Sequence, residues 1–240
     1  MAEIINNTIT HLRLPFEFDQ TQLLRDYHAL SNGAWIPHFN RDGYQGNWNA
    51  IVLLAKQDAP STMLVVDPTE ELKPTEALTQ SPYFQEILGT LKCTILSARI
   101  LRLEVGSSIK PHRDYNLGYE DGCFRLHIPI ITNPRVEFMV GGHRLSMLPG
   151  ECWYTNVNHI HSVANYGDQD RIHLVIDGAR NQWSDDLFFS LAPEEAFFAA
   201  PTTRYTAEEL IRTIEELERI DAVQHAELIA QLRKELEELR

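Results

Sequence analysis

The sequence predicts a mainly β protein, a sandwich or barrel of short strands flanked by N-terminal helices and followed by a C-terminal helical extension. Three observations carry this. Between residues 94 and 178, short segments rich in branched and aromatic side chains alternate apolar with polar residues, the two-residue period of a strand. Turn signals (TNP, GGH, LPGE, NYGDQD) separate these segments, too closely for helical crossovers. From about residue 203 the texture changes to Glu, Leu and Arg with apolar residues every three or four positions, which is helical amphipathicity.

The elements follow in order. FDQTQLLRDYHAL reads as a helix with an aspartate near its start, WNAIVLLA as a buried strand and SPYFQEILGTL as a second helix. TILSARILRLEV, FRLHIPII, RVEFMV, HRLSML, ECWYTN, HSVAN and RIHLVID read as the strands of the barrel. The tail carries Leu210, Ile214, Leu217, Leu228, Leu232, Leu236 and Leu239 as a partly heptad-like stripe, broken near Ile220 and Asp221. Such a stripe docks on its own domain or joins two copies in a homodimer. The expected division is residues 1–202, with a barrel core at about 94–190, and an extension over 203–240.

Composition limits the function. A chain of 240 residues can bury one sizeable core, and its net charge of −13 argues against a nucleic-acid-binding surface. No apolar run approaches membrane-spanning length, and the N-terminus lacks the basic and apolar regions of a secretory signal. Cys93, Cys123 and Cys152 are few and widely spaced, as reduced thiols would be. A cytoplasmic protein is expected.

Ionisable chemistry sits inside this strand pattern. His112 and Asp114 lie two apart in IKPHRDY, and Arg125 and His127 lie two apart in the apolar run CFRLHIPI. On strands each pair shares a face. Two imidazoles and one carboxylate form the facial donor set of a non-haem iron(II) site with open positions for reactants. The H-x-D supplies two donors, and NHIHSVAN offers His159 or His161 as the third. Arg171 opens the strand RIHLVID, and its planar fork suits a carboxylate. Alone, an H-x-D pair is common on surfaces, and a single histidine in an apolar strand, such as His127 or His173, is more often a satisfied core residue. The ordered set of H-x-D, R-x-H, a PGE turn, H-S-V and an arginine ten residues later is not something strand architecture requires.

The stretch ILRLEVGSSIKPHRDY…FRLHIPI…LPGECWY…HSVANYGDQDRIHLVID resembles the aspartyl/asparaginyl β-hydroxylase family of iron(II)/2-oxoglutarate dioxygenases, whose bacterial members include hydroxylases of free amino acids such as proline. The resemblance implies a double-stranded β-helix, the cupin-like jelly roll, with iron(II) held by His112, Asp114 and His161. It implies that Arg171 holds the distal carboxylate of 2-oxoglutarate, with Arg125 and His127 at the cosubstrate's other end. GNWNAIVLL resembles an upstream stretch of the family, which makes Trp48 a candidate for the cosubstrate pocket or simply a core aromatic. The H-S-V context favours His161 over His159, leaving His159 as a neighbour on the substrate side. Arg113, Tyr115, His38 and Tyr44 are candidates for the substrate rim. His143 is expected on the surface, and Cys152 and Trp153 in the barrel wall. The implied reaction inserts oxygen from O₂ into an unactivated C–H bond of a small-molecule substrate, an amino acid or derivative, with release of succinate and CO₂. Three other readings stand beside it. One is hydroxylation of Asp, Asn or another residue in a peptide or protein. Another is a cupin-like isomerase or hydrolase with a different metal, which would not need Arg171. The third is a binding module, which would not need the whole donor set.

Overall fold

The computed structural model describes residues 3–5, 7–30, 35–57, 59, 63–199, 202–204, 207–221 and 226–238. In chain order the first elements are β1 (Glu3–Ile5), β2 (His11–Glu17), α1 (Gln20–Leu30), β3 (Ile36–Pro37), β4 (Tyr44–Gln45) and β5 (Trp48–Ala55). β6 (Lys73–Pro74), α2 (Glu76–Thr79) and α3 (Pro82–Thr90) follow, then β7 (Ile95–Leu103), β8 (Ser108–His112) and β9 (Cys123–Ile131). The barrel continues with β10 (Val136–Val140), β11 (His143–Leu145), β12 (Glu151–Thr155), β13 (His161–Asn165) and β14 (Arg171–Ala179). The chain ends with α4 (Gln182–Phe189), β15 (Thr202–Arg204), α5 (Ala207–Asp221) and α6 (Ala226–Glu238).

Residues 9–198 form one compact unit, and residues 1–8 with 199–240 form another. The larger unit is a jelly roll. Its eight-stranded sheet runs β2-β12-β9-β14-β7-β5-β3, with β6 on β5, and its five-stranded sheet runs β11-β10-β13-β8-β4. Strands β7, β9, β12 and β14 lie in the first sheet, whereas the intervening β8, β10, β11 and β13 lie in the second. That alternation between sheets is the double-stranded β-helix implied by the sequence resemblance.

The two sheets are buried differently, and their sequences show it. The larger sheet packs one face on α1, α3 and α4 through Leu23, Phe84, Ile100, Leu126, Ile176 and Phe188. Its other face meets the smaller sheet through Trp48, Ala50, Leu101 and Val175 against Ile109, Phe138, Val140 and Val163. With both faces covered, β9 and β14 are buried almost without interruption, and they read as near-continuous apolar runs. The smaller sheet has one wet face, so β13 alternates strictly between buried and half-buried residues.

Asp19 opens α1 by accepting from the Gln22 amide at 3.0 Å, as its position in the sequence suggested. α3 is capped from elsewhere: the buried Asp26 of α1 accepts from the Tyr83 and Phe84 amides at 2.7 and 3.2 Å. Cys152 is fully buried in the wall, Trp153 half-buried beside it and His143 exposed, all as expected. Strand β2 is an edge strand that pairs with β12, and an edge tolerates its Pro15.

In the smaller unit β1 pairs antiparallel with β15. α5 and α6 pack on each other through Leu210, Ile214, Ile229 and Leu232, with Leu217 and Leu236 at the margin. Arg233 and Glu218 pair across the two helices at 2.5 Å. Five of the seven stripe residues therefore face within the hairpin, while the side chains of Leu228 and Leu239 lie outside the described residues.

Candidate metal centre and active site

The register of β8 and β13 builds the centre. His161 opens β13 directly opposite His112 at the end of β8, which brings the two ring centroids to 4.2 Å. Asp114 stands two residues past His112, its amide donating to the Val157 carbonyl at 2.9 Å. One donor atom from each of His112, Asp114 and His161 falls within 4.8 Å of the others.

Each imidazole is oriented from behind. His112 Nδ1 lies 2.8 Å from the Lys110 carbonyl and His161 Nδ1 lies 3.0 Å from the His159 carbonyl. A carbonyl only accepts, so Nδ1 carries a proton in both rings and Nε2 is the atom left for a metal. Burial, with His112 alongside, pushes His161 down to about 4, so it is neutral at physiological pH. Burial pushes Asp114 up, but the Arg125 charge and then His161 outweigh it and hold the carboxyl below its usual range. Two imidazoles and an ionised carboxylate with donor atoms this close together fit a divalent transition metal with open positions.

Deeper in the barrel lies Arg171, 1% exposed. Its Nη2 donates to His173 Nδ1 at 2.9 Å, and its Nε has no hydrogen-bond partner among the described residues. Burial pushes its pKa down to about 9, and its guanidinium lies over the Phe138 ring at 5.2 Å. His127 Nδ1 and Trp48 Nε1 are likewise buried without a hydrogen-bond partner among the described residues. Burial first, then Arg171 and Arg125, hold His127 well below its ordinary pKa. Arg171, His127 and Trp48 line one small cavity together with His112, Asp114 and His161. A buried cation and two unsatisfied polar atoms around one space cost several kcal/mol unless a ligand completes them.

The structure thus brings His112, Asp114, His161, Arg171, His127, Arg125 and Trp48 to one cavity. Arg125 was expected at the cosubstrate. It lines the cavity with two of its nitrogens committed, Nη1 to Asp114 at 2.6 Å and Nε to Asp177 at 2.7 Å. Of the rim candidates, His38 stacks on Trp48 at 3.4 Å between centroids, and Tyr44 meets Trp48 edge-on at 5.7 Å. Burial first, then Arg99, pushes His38 down to about 3. Arg113 is half-buried, Tyr115 is 75% exposed, and the His159 ring lies beside Gly141 rather than along the cavity. His159 serves the centre through its carbonyl.

Sequence reasoning missed Asp177, Arg99 and the role of His173. A signal existed: Arg171, His173, Val175 and Asp177 share one strand face, and charged residues inside apolar strands need partners. Which partners they find depends on register between β14, β9 and β7.

Two histidines and a carboxylate on one face with positions left open are the donor set that non-haem iron(II) oxygenases use. The family model described as aspartyl/asparaginyl beta-hydroxylase matches residues 17–181, and the chain belongs to that family. It is 28% identical over 170 residues to the L-proline cis-4-hydroxylase of Rhizobium meliloti (strain 1021), covering 70% of this chain and 60% of that protein. It is 26% identical over 175 residues to L-proline cis-3-hydroxylase 1 of a Streptomyces species, covering 70% and 59%. The chain therefore matches about three fifths of the length of these curated relatives. Among solved structures, a 2OG-Fe(II) oxygenase-family oxidoreductase from Burkholderia pseudomallei aligns with a TM-score of 0.49 at 17% identity, over 72% of this chain and 86% of that one. No helix among the described residues is long and apolar enough to cross a membrane.

Proposed function

We propose that this chain is an iron(II)- and 2-oxoglutarate-dependent dioxygenase that hydroxylates an unactivated C–H bond of a free amino acid. Arg171 is the observation that carries it. A fully buried guanidinium without a carboxylate partner among the described residues, one cavity width from two histidines and an aspartate, is a site waiting for a small anionic ligand that also reaches a metal. 2-Oxoglutarate has that form, with a carboxylate at one end for Arg171 and a 2-oxo acid at the other for the metal.

His112, Asp114 and His161 would hold the iron, which when loaded with 2-oxoglutarate and O₂ supplies the oxidising power. The chain's own residues do the rest. Arg171 fixes the far end of the cosubstrate through a charge-assisted fork. His127 and Trp48 offer their unpartnered atoms to its flank, and the apolar walls Leu101, Ile109, Phe138 and Val175 keep water out. The substrate enters from the rim that His38 and Trp48 frame. A free amino acid is supported by the proline hydroxylases that the chain resembles, and L-proline is the first compound to test. The three described cysteines carry no disulfide, in keeping with the reducing cytoplasm. The α5–α6 hairpin buries four apolar residues between its helices, too small a core to stand alone, which favours pairing with a second copy. Light scattering of the whole chain and of a chain ending at residue 202 tests that dimer.

The test of function is succinate release from 2-oxoglutarate under O₂ with Fe(II), across a panel of free L-amino acids. At least one should raise turnover well above the uncoupled background and gain one oxygen by mass. Stimulation by peptides alone would move the substrate to a polypeptide, and no succinate under any condition would refute the dioxygenase reading.

A further inference from the structure

Asp114 has two oxygens, and the barrel leaves one of them for a metal. Oδ2 accepts from Arg125 Nη1 at 2.6 Å, whereas Oδ1 lies 3.6 Å from His112 Nε2. Arginine and a carboxylate left to themselves favour a two-pronged pairing that occupies both oxygens. Here Asp177 Oδ1 takes Nε at 2.7 Å and fixes the guanidinium in an orientation from which Nη1 alone reaches Asp114.

Asp177 is fixed in turn. Its Oδ2 accepts from Arg99 Nη1 at 2.7 Å, and the same nitrogen donates to Ser97 Oγ. The relay is built by register: Asp177 on β14 is the ladder partner of Arg125 on β9 and of Ser97 on β7. Asp177 is 2% and Arg99 5% exposed, and neither lines the cavity. Burying such a pair is no route to stability, since apolar residues of similar volume usually serve as well or better. Burial works against the Asp177 charge, and Arg125 and then Arg99 outweigh it, holding the carboxyl below its usual range. Arg125 retains Nη2 without a hydrogen bond among the described residues, and this nitrogen is what remains for the cosubstrate.

We propose that Asp177, anchored by Arg99, is a positioning residue that turns Arg125 so that Asp114 presents a single oxygen to the metal. The proposal rests on the metal-site reading above. When Asp177 is lost, Arg125 either pairs with both oxygens of Asp114 or swings away, and in both cases the metal loses a preset ligand.

The test is calorimetric titration of Mn(II) into the metal-free protein, without cosubstrate. Asp177→Asn should weaken Mn(II) by about ten- to hundredfold, the usual effect of removing a group that orients a ligand. Arg125→Gln removes the group through which Asp177 acts, so adding Asp177→Asn to it should change the affinity little further. Parent-like affinity in Asp177→Asn, or losses that simply add in the double variant, would overturn the proposal, because Asp177 would then act on the metal site by a route other than Arg125. The parent supplies a second test should Asp177→Asn not fold. Infrared difference spectra of metal-loaded against metal-free protein, with Asp114→Asn to assign the bands, should show the wide carboxylate splitting of one-oxygen ligation. The narrow splitting of two-oxygen ligation would overturn it. A parent that takes up no Mn(II) refutes the metal-site reading, and this inference with it. Uptake by the parent with no change in the variants refutes the inference alone.

Discussion

Arg171→Lys separates charge from geometry at the buried anion site. In the parent, Nη2 is spent on His173 Nδ1 while Nε stays unpartnered, so the edge facing the cavity keeps donors for a carboxylate. Lysine retains the charge but brings a single ammonium, which must serve both the ligand and His173 Nδ1. At least one hydrogen bond to a charged group is lost, about 1.5–3 kcal/mol. That corresponds to a 2-oxoglutarate dissociation constant raised about ten- to hundredfold. The assay is ligand-induced stabilisation of the Mn(II)-loaded protein, read as melting temperature against 2-oxoglutarate concentration. In the parent, ligand at a hundred times its dissociation constant should add about 2.7 kcal/mol. Arg171→Met makes the complementary case. It removes an uncompensated buried charge, so the ligand-free protein should melt no lower than the parent, and 2-oxoglutarate should no longer stabilise it. Unchanged 2-oxoglutarate affinity in Arg171→Lys would refute the reasoning and move the carboxylate to another cation, Arg125 Nη2 being the candidate in the same cavity.

Other outcomes follow from the same geometry. His112→Ala, Asp114→Ala and His161→Ala should each abolish tight Mn(II) binding and succinate formation, and full turnover in Asp114→Ala would show a centre that needs only its two histidines. His161, His127 and His173 are buried with pKa values depressed first by burial. The unfolded chain therefore binds protons that the fold excludes, and stability is lost as pH falls below the ordinary histidine value of about 6.5. Three such groups give a slope approaching roughly 4 kcal/mol per pH unit between about pH 6 and 5, measurable by urea unfolding of the metal-free protein, and a flat profile there would contradict it. Asp26→Ala should cost about 2 kcal/mol by stripping the buried cap from α3, read as a lower urea midpoint at unchanged m-value.

Much of the site was legible because its signals are local. Alternation fixes which residues of a strand share a face, so His112 with Asp114, and Arg125 with His127, could be paired from spacing alone. The strands of the smaller sheet announced themselves because one face is wet, and the helices α1 and α3 because their apolar period is helical. The choice of His161 over His159 came from sequence context, and the structure places the His159 carbonyl behind the His161 ring. Less local features stayed hidden. Strand β2 is an edge whose Pro15 masks its period, and Asp26 caps a helix 57 residues away.

What the sequence by itself determined is the set of chemical groups, their order and the faces they occupy, because side-chain alternation along a strand is a property of the backbone. What only the tertiary structure decided is who meets whom. Arg99 and Asp177 are 78 residues apart, and nothing in either segment names the other. Their meeting depends on the register of β7 against β14, and a shift by one residue would put the two charges on opposite faces. The same holds for Arg125, whose fork reaches two carboxylates instead of one ligand, and for Arg171, whose lack of a carboxylate is visible only once the walls around it are closed. In the tail, a stripe that could face its own domain or a second copy is seen to close α5 on α6. Local periodicity specifies a face, and packing free energy chooses the face that covers it.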